Sequence, residues 1–395
     1  MAASRQLTLA YLEQFRHCHP DWELIRNAHP DINPPVWELG HIAWFEEHWI
    51  TRNTMRLMGS DLPAMMSRGS SMWPHADVVF DSSINPFQER GQISLDDIDS
   101  VRDYLVQSHA AAMACLEADA PSAGRQRYFY QLSLAHEWMH QESLRMNTQA
   151  LGMRPPDQDV TVRDALKPVR WPGHRQELTA AVFQWPHPSA EPDEEFFFDN
   201  ELPLTTYCIE PAQLDVSPVT HGQFADFVAD DGYRRRDLWQ ASGWEWRSRH
   251  RADGPKGVRY AAGGIQRLWF GAWCDMHPDS PMIHVSLHEA QAWCQWAGRQ
   301  LPTEAQWLAG CRMGMDWGQT WEWTADPFRP HPGFQAHPYR DYSAPWFDSH
   351  QLVKGCSIFT EPLLKSERYR NFFQAHRTDA AIGFRSVSPG QAAAS

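Results

Sequence analysis

The stretch GRQRYFYQLSLAHEWMHQESLRMNTQAL, residues 124–151, decides the first half of the fold. Its apolar residues recur at helical spacing, and after Gly124 no glycine or proline interrupts it, so it predicts one long helix. Within it, His136-Glu-Trp-Met-His140-Gln-Glu142 places two imidazoles four residues apart, on one helix face, where both can reach a single metal ion. A solvated or hydrogen-bonded histidine pair is the plainer reading of the same letters.

Three earlier stretches share this period, over 6–28, 34–57 and 95–118. The second opens on Asn33, Pro34 and Pro35, with proline in the first turn, where a missing N–H costs nothing. The third follows Ser94-Leu-Asp-Asp, which offers Ser94 as an N-cap and acidic residues for the first turn. Four such helices imply an antiparallel bundle. The connection from about 58 to 93 carries Gly, Ser, Pro and Met and reads as a functional loop.

The letters of His136 to His140 also satisfy the H-E-x-x-H pattern of zinc proteases. Such proteases take a third ligand from downstream, and Ser143 to Gly152 contains neither histidine nor carboxylate. Upstream, the second helix supplies His41 within Trp37-Glu-Leu-Gly-His-Ile-Ala-Trp44, with His48 seven residues on as an alternative. A bundle can set one of these against the pair, giving three neutral imidazoles with open coordination positions. That donor set suits Fe(II), and zinc also meets its chemistry.

Composition excludes several classes. The net charge of −14 disfavours general attraction to nucleic acid or an anionic membrane. No apolar run reaches the length of a spanning helix. The opening MAASRQLTLAYLEQF lacks the order of a secretory signal, so a cytoplasmic location is the default expectation. The 7 cysteines are odd in number and form no C-x-x-C pair, which signals neither a disulfide framework nor a zinc ribbon. The 20 tryptophans fall in both halves and argue for aromatic-walled interiors or a pocket.

After a Pro- and Gly-rich connection over 156–177, the texture changes. Short β-like runs such as 196–198, 207–209 and 282–285 alternate with turn residues, and helices are expected at Thr220 to Ala229 and Leu287 to Ala297. The tail 391–395 reads as disordered. The second half also carries an ordered set of motifs: Asp199-Asn-Glu201, Pro218-Val-Thr-His-Gly-Gln-Phe224, Arg299-Gln-Leu-Pro-Thr-Glu-Ala-Gln-Trp307, Thr320-Trp-Glu-Trp-Thr324, Tyr369-Arg-Asn-Phe-Phe373 and Gly383-Phe-Arg385. Each alone passes as a turn with an aromatic anchor; their order and spacing are specific.

On these motifs the chain resembles the ergothioneine sulfoxide synthases and their relatives the selenoneine synthases. The resemblance implies an α+β protein: a DinB-like four-helix bundle over 1–155, then a formylglycine-generating-enzyme-type, C-type-lectin-like domain over 178–390. It implies Fe(II) on His41, His136 and His140, with hercynine, O2 and a sulfur or selenium donor as partners and no nucleic acid or membrane. The reaction joins C2 of the hercynine imidazole to the chalcogen. Asn371 matches the hercynine-binding asparagine, and Phe372 an aromatic position suited to a trimethylammonium. Tyr339 and Tyr342 match a tyrosine pair near the reacting groups, one of which donates a proton or holds the imidazole. Core packing is the plainer reading of both.

Departures from the family bear on the donor. The branch that uses glutamyl-cysteine clamps it with arginines in the loop between helices two and three and an Asp after the Arg-Asn motif. Here that Asp position is Phe373, and the stretch Phe80 to Arg90 holds Arg90 alone, with Arg377 at a further donor-side position. Trp138 and Met139 replace a Gln-Gln pair, and Gly355-Cys356-Ser357 replaces Gly-Gly-Ser, which reshapes a pocket wall. Cys356 is either a reactive thiol or a buried small residue. A weak carboxylate clamp leans towards a selenosugar donor, with cysteine or glutamyl-cysteine as the alternative. A non-catalytic binding protein, a formylglycine-generating oxidase and a simple thiol transferase are the competing classes. The oxidase is disfavoured because only Cys356 lies beyond residue 311.

Overall fold

The computed structural model describes residues 1–19, 31–62, 68–93, 95, 97–121, 124–162, 166–185, 195–261 and 264–389. Helix α1 (Ala2–Cys18) buries Ser4, Arg5, Thr8, Tyr11, Leu12 and Phe15 along one stripe. Helix α2 (Pro35–Glu46) is buried at every position, which accounts for its mostly apolar letters; its polar residues Glu38, His41 and Glu46 are buried too. It runs on as a π turn over Glu47–Thr51, so the helix expected to residue 57 is α-helical only to Glu46. Glu47 is buried there and accepts from Tyr104, Ser71 and the Met72 backbone, a role that apolar periodicity does not register. A short α3 (Ala76–Phe80) lies in the following connection.

Helix α4 (Ile98–Asp119) is capped by Asp97, whose carboxylate accepts from the Ser100 N–H at 2.6 Å. The expected cap Ser94 lies outside the described residues, as do positions 20–28 of the first helical stretch and the tail 391–395. Helix α5 (Gly124–Ala150) matches its expected span to one residue.

The chain divides into two compact units, 1–160 with 189–199 and 335–345, and 161–188 with 200–334 and 346–395. The first unit is tied together by a buried charged node. Arg5, 2% exposed, donates to Glu46 at 2.9 Å, to Glu137 at 3.0 Å and to the Leu105 carbonyl at 2.6 Å. Thr8 adds a hydrogen bond to Glu137 at 2.6 Å. Helices α1, α2, α4 and α5 thus meet at one guanidinium, one residue along the chain from His136. Arg5→Ala leaves Glu137 with only the Thr8 hydroxyl and Glu46 with only His109, both buried without their guanidinium, and is expected to cost about 3–5 kcal/mol. Urea denaturation checks this, and a loss below about 1 kcal/mol would show that the node is dispensable.

In the second unit, β1 (Arg175–Leu178), β4 (Ala212–Asp215) and β12 (Val387–Pro389) form an antiparallel sheet. A second sheet has the order β10 (Asn371–Phe373), β9 (Gln351–Lys354), β8 (Trp321–Pro327), β11 (Ile382–Gly383), with β11 parallel to β8. β2 (Ala181–Trp185) pairs with β3 (Thr205–Ile209), and β5 (Val258–Ala261), β6 (Gly264–Trp269) and β7 (Ala272–Met276) form a meander. Helices α6 (His221–Ala229), α8 (Leu287–Trp296) and α9 (Glu304–Arg312) each open on a capping box, Thr220/Gln223, Ser286/Glu289 and Thr303/Gln306. Helix α7 (Ala241–His250) completes the set.

Two expected strands are absent. Residues 282–285 bond irregularly, Met282 N–H to the Val219 carbonyl and Val285 N–H to the Ile382 carbonyl, because His284 adopts a left-handed φ of 62° that breaks an extended run. Residues 196–198 run without strand pairing into a 3₁₀ turn at Asp199–Glu201, with Phe197 and Phe198 buried as core. No helix among the described residues is long and apolar enough to cross a membrane.

The motif letters of the second unit mostly build its interior. Arg385 grips Glu322 through Nε at 2.5 Å and Nη2 at 2.8 Å, with both side chains fully buried. Trp307 donates to the same carboxylate at 3.0 Å, and Arg370 pairs with Glu304 at 3.0 Å. A Cβ on Gly383 would lie 2.0 Å from the Met282 carbonyl oxygen, so only glycine fits.

Candidate metal centre

Three imidazoles converge inside the first unit. His41 of α2 and His136 and His140 of α5 are the one group of metal-ligating side chains found together among the described residues. The Nε2 atoms of His41 and His140 each lie 3.2 Å from Nε2 of His136. Their outer nitrogens are engaged: His41 Nδ1 donates to the Phe80 carbonyl at 2.7 Å, and His140 Nδ1 to Glu38 at 2.7 Å. Glu38 is fully buried and accepts a further hydrogen bond from Asn147 at 2.8 Å.

These bonds select the tautomer. With protons on Nδ1, Nε2 of His41 and His140 carries a bare lone pair. His136 Nε2 has a proton for at most one of them, so at least one contact sets lone pair against lone pair. A cation at the centre turns that repulsion into ligation. At a metal–nitrogen distance of about 2.1 Å, ligands at 90–109° sit roughly 3.0–3.4 Å apart, which the observed spacing meets. Burial and the neighbouring His140 push the pKa values of His41 and His136 well below the ordinary histidine value, so both are neutral, the form a metal needs. The donor set therefore fits Fe(II), and the helix spacing that suggested it is realised in three dimensions.

Aromatic rings wall the group. His136 stacks on Phe45 at 3.5 Å, and His41 lies between Trp37 at 5.1 Å and Trp44 at 5.7 Å. His48 is not part of it: it packs against Trp44 and Trp49, and burial with the charges of Arg68 and Arg52 takes it down to about 3. Phe80 reaches His41 because Gly40 leaves room; a Cβ there would sit 2.2 Å from the Phe80 ring. Gly40→Ala is expected to raise helix propensity yet weaken iron binding about 10–100-fold by displacing the His41 anchor. Competition with a chelator measures it, and unchanged affinity would show that the Phe80 carbonyl does not hold His41.

Of the expected tyrosines, Tyr339 belongs to this unit and reaches the centre, edge-on to His136 at 5.8 Å and to Phe45 at 4.8 Å. Burial, with the Asp341 and Asp199 charges, holds its pKa well above that of free tyrosine. Tyr342 is buried against Phe198 at 4.9 Å, a packing role.

Arg90 is held beside α2. It donates to Asn33 at 2.7 Å and the Asn85 carbonyl at 3.1 Å, and lies over Trp37 at 4.1 Å. Burial takes its pKa to about 10, and its charge is felt by His41. Its hydrogen bonds are all to neutral groups. Arg68, which sequence reading passed over, lies over Trp49 at 5.0 Å with Nη1 buried and unpartnered. At 100° per residue, Trp138 points away from the histidine face of α5 and Met139 to one side, so Trp138 is not a wall of this centre.

The remaining candidates lie in the second unit. The Asn371 side-chain Oδ1 accepts from the Phe372 N–H at 2.8 Å. Phe372 stacks on Phe328 at 4.3 Å, and Phe373 is buried under Arg377 at 5.4 Å. Arg377 is forked onto Asp379 at 2.5 Å through both Nε and Nη2. Cys356 is wholly buried at a left-handed φ of 58°, so it packs as a small interior residue and is no exposed thiol.

Comparison with known proteins bears on both units. Residues 1–144 match the DinB superfamily, and residues 174–319 match the sulfatase-modifying factor enzyme 1-like domain. The chain is 28% identical over 414 residues to a hercynine oxygenase of Mycobacterium tuberculosis, covering 92% of this chain and 93% of that one. It is 26% identical over 453 residues to the hercynine oxygenase of Mycolicibacterium smegmatis, covering 98% and 96%. A formylglycine-generating enzyme of Thermomonospora curvata is 29% identical over 141 residues, 32% of this chain and 45% of its own.

Proposed function

We propose that this chain, a DinB-superfamily bundle joined to a sulfatase-modifying-factor-type domain as in the ergothioneine-synthase family, is an iron-dependent oxygenase acting on hercynine. The observation that carries the reading is the trio of Nε2 lone pairs, aimed at one another without a shared proton for each contact, with a phenol beside them. Fe(II) held by His41, His136 and His140 would supply open positions for dioxygen and a thiolate, and the electrons that the chemistry exchanges.

The overall reaction balances with one thiol and one O2 per hercynine. The imidazole C2–H and the S–H bonds break, a C–S bond forms, one oxygen atom ends on sulfur as a sulfoxide and the other leaves as water. The protein's share is to orient the ring carbon towards the sulfur and to hold a proton at Tyr339 for the reduced oxygen. Asn371 and Phe372 are the proposed hercynine contacts, an amide for polar groups and an aromatic face for the trimethylammonium.

Sulfur takes precedence over the selenium donor towards which the sequence leaned. Arg90 is a half-buried guanidinium whose charge is felt at His41 and whose hydrogen bonds are to neutral groups, with the Glu38 and Asp341 carboxylates acting on it only through space. Such a group suits a donor carrying a carboxylate, as cysteine and glutamyl-cysteine do and a selenosugar does not. Iron-loaded protein given hercynine, cysteine, glutamyl-cysteine and a selenosugar together under air is expected to yield a sulfoxide adduct, read by mass spectrometry. A dominant selenium adduct would reverse the donor assignment. Iron binding with no adduct and no O2 consumption would sink the enzyme reading in favour of a binding protein.

A further inference from the structure

In the second unit, β6 carries Arg267 into the interior with 1% of its surface exposed. The other arginines of comparable burial each grip a carboxylate: Arg5, Arg145, Arg370 and Arg385. Arg267 does not. Its Nη1 and Nη2 are buried with no hydrogen-bond partner, and burial takes its pKa down to about 9 with no carboxylate to offset it. Folded proteins rarely leave such donors unmet.

Two imidazoles lie within reach of its charge. His221 is fully buried and neither ring nitrogen has a partner. His284, in its left-handed conformation, donates from Nδ1 to the Ala380 carbonyl at 2.8 Å, and its Nε2 has no partner. Beneath the guanidinium, at 4.6 Å, is Trp269, itself stacked on Phe359 at 5.6 Å. The cluster therefore combines one buried positive charge without a carboxylate, unmet donors on Arg267 and His221, an acceptor lone pair at His284 Nε2 and an aromatic floor.

We infer that Arg267, with His221 within reach of its charge, binds a small monovalent anion inside the second unit. One formal charge calls for one counter-charge, which argues against phosphate or sulfate. The burial argues for a halide or a one- or two-carbon carboxylate rather than a larger acid. The unmet guanidinium nitrogens, and an N–H that His221 can present from either ring nitrogen, supply the hydrogen bonds. This anion is a structural counter-ion, separate from the histidine centre and from the proposed reaction.

The test is thermal unfolding of the full chain at constant ionic strength, as sodium gluconate, too bulky for a closed site, is replaced by chloride, bromide or formate. Wild-type Tm is expected to rise saturably by about 3–5 °C. The salt that acts at the lowest concentration identifies halide or carboxylate as the natural occupant. A bromide-soaked crystal is expected to give an anomalous peak within hydrogen-bond distance of Arg267. Arg267→Met is expected to lose the response, and His221→Asn to need roughly ten-fold more anion for it. Absence of a Tm response in every salt together with no bromide peak would overturn the inference, as would an equal response in wild type and Arg267→Met.

Discussion

Replacing His136 by alanine is expected to abolish iron binding and turnover while leaving the chain folded. His136 is the hub of the trio, 3.2 Å from both partners, and its loss leaves two imidazoles that no longer share a central neighbour. Two neutral nitrogens hold Fe(II) far more weakly than three preorganised ones. The fold survives because the Arg5 node and the anchors on Phe80 and Glu38 do not pass through this side chain. Iron per chain should drop below about a tenth of an equivalent, with an unchanged circular dichroism spectrum. His48→Ala serves as the control and is expected to retain full iron. Full loading and turnover in the His136 variant would remove the three-histidine assignment.

Tyr339→Phe is expected to lower kcat about 10²–10⁴-fold, the range for losing a positioned proton donor. Iron content should not change, because the ring keeps its packing on Phe45 and His136 and only the hydroxyl is lost. The phenol is held well above its ordinary pKa, so its proton remains available throughout the neutral range. Tyr342→Phe gives the contrast: packed on Phe198, it is expected to affect stability more than kcat. Wild-type kcat in the Tyr339 variant would move the proton donor elsewhere.

Much of this was readable from periodicity and spacing. The helical first half follows from local periodicity, while the DinB-like and formylglycine-generating-enzyme-type assignments rest on the resemblance carried by the motif set, and the comparisons bear both out. His136 and His140 are four apart on one helix, so their meeting needs only helical geometry. What could not be read depends on distant neighbours. The Arg5 node joins residues 41 and 132 positions apart, and nothing local marks Arg5 as buried. The π turn after Glu46 carries Glu47, whose buried carboxylate accepts from Ser71 and Tyr104, partners 24 and 57 positions away that no hydrophobic period marks. Many second-unit letters that drew attention, among them Glu304, Glu322, Arg370 and Arg385, serve its interior: a charge within a motif can be a core pair as readily as a catalytic one.

The first unit is not continuous in sequence. Residues 335–345 fold with the bundle, so Tyr339 joins a centre whose last ligand, His140, lies 199 positions earlier (339 − 140). At about 5–20 residues per second of synthesis, the three histidines are complete roughly 10–40 s before that tyrosine is added. A fragment ending at residue 160 should therefore still assemble the histidines but expose Phe45 to water, and be less stable than the whole chain; equal stability would show that the late segment adds nothing to the bundle. During biosynthesis the ion can be captured early, whereas proton transfer waits until residues 335–345 have been added, so the growing chain carries its metal before it carries the full means of using it.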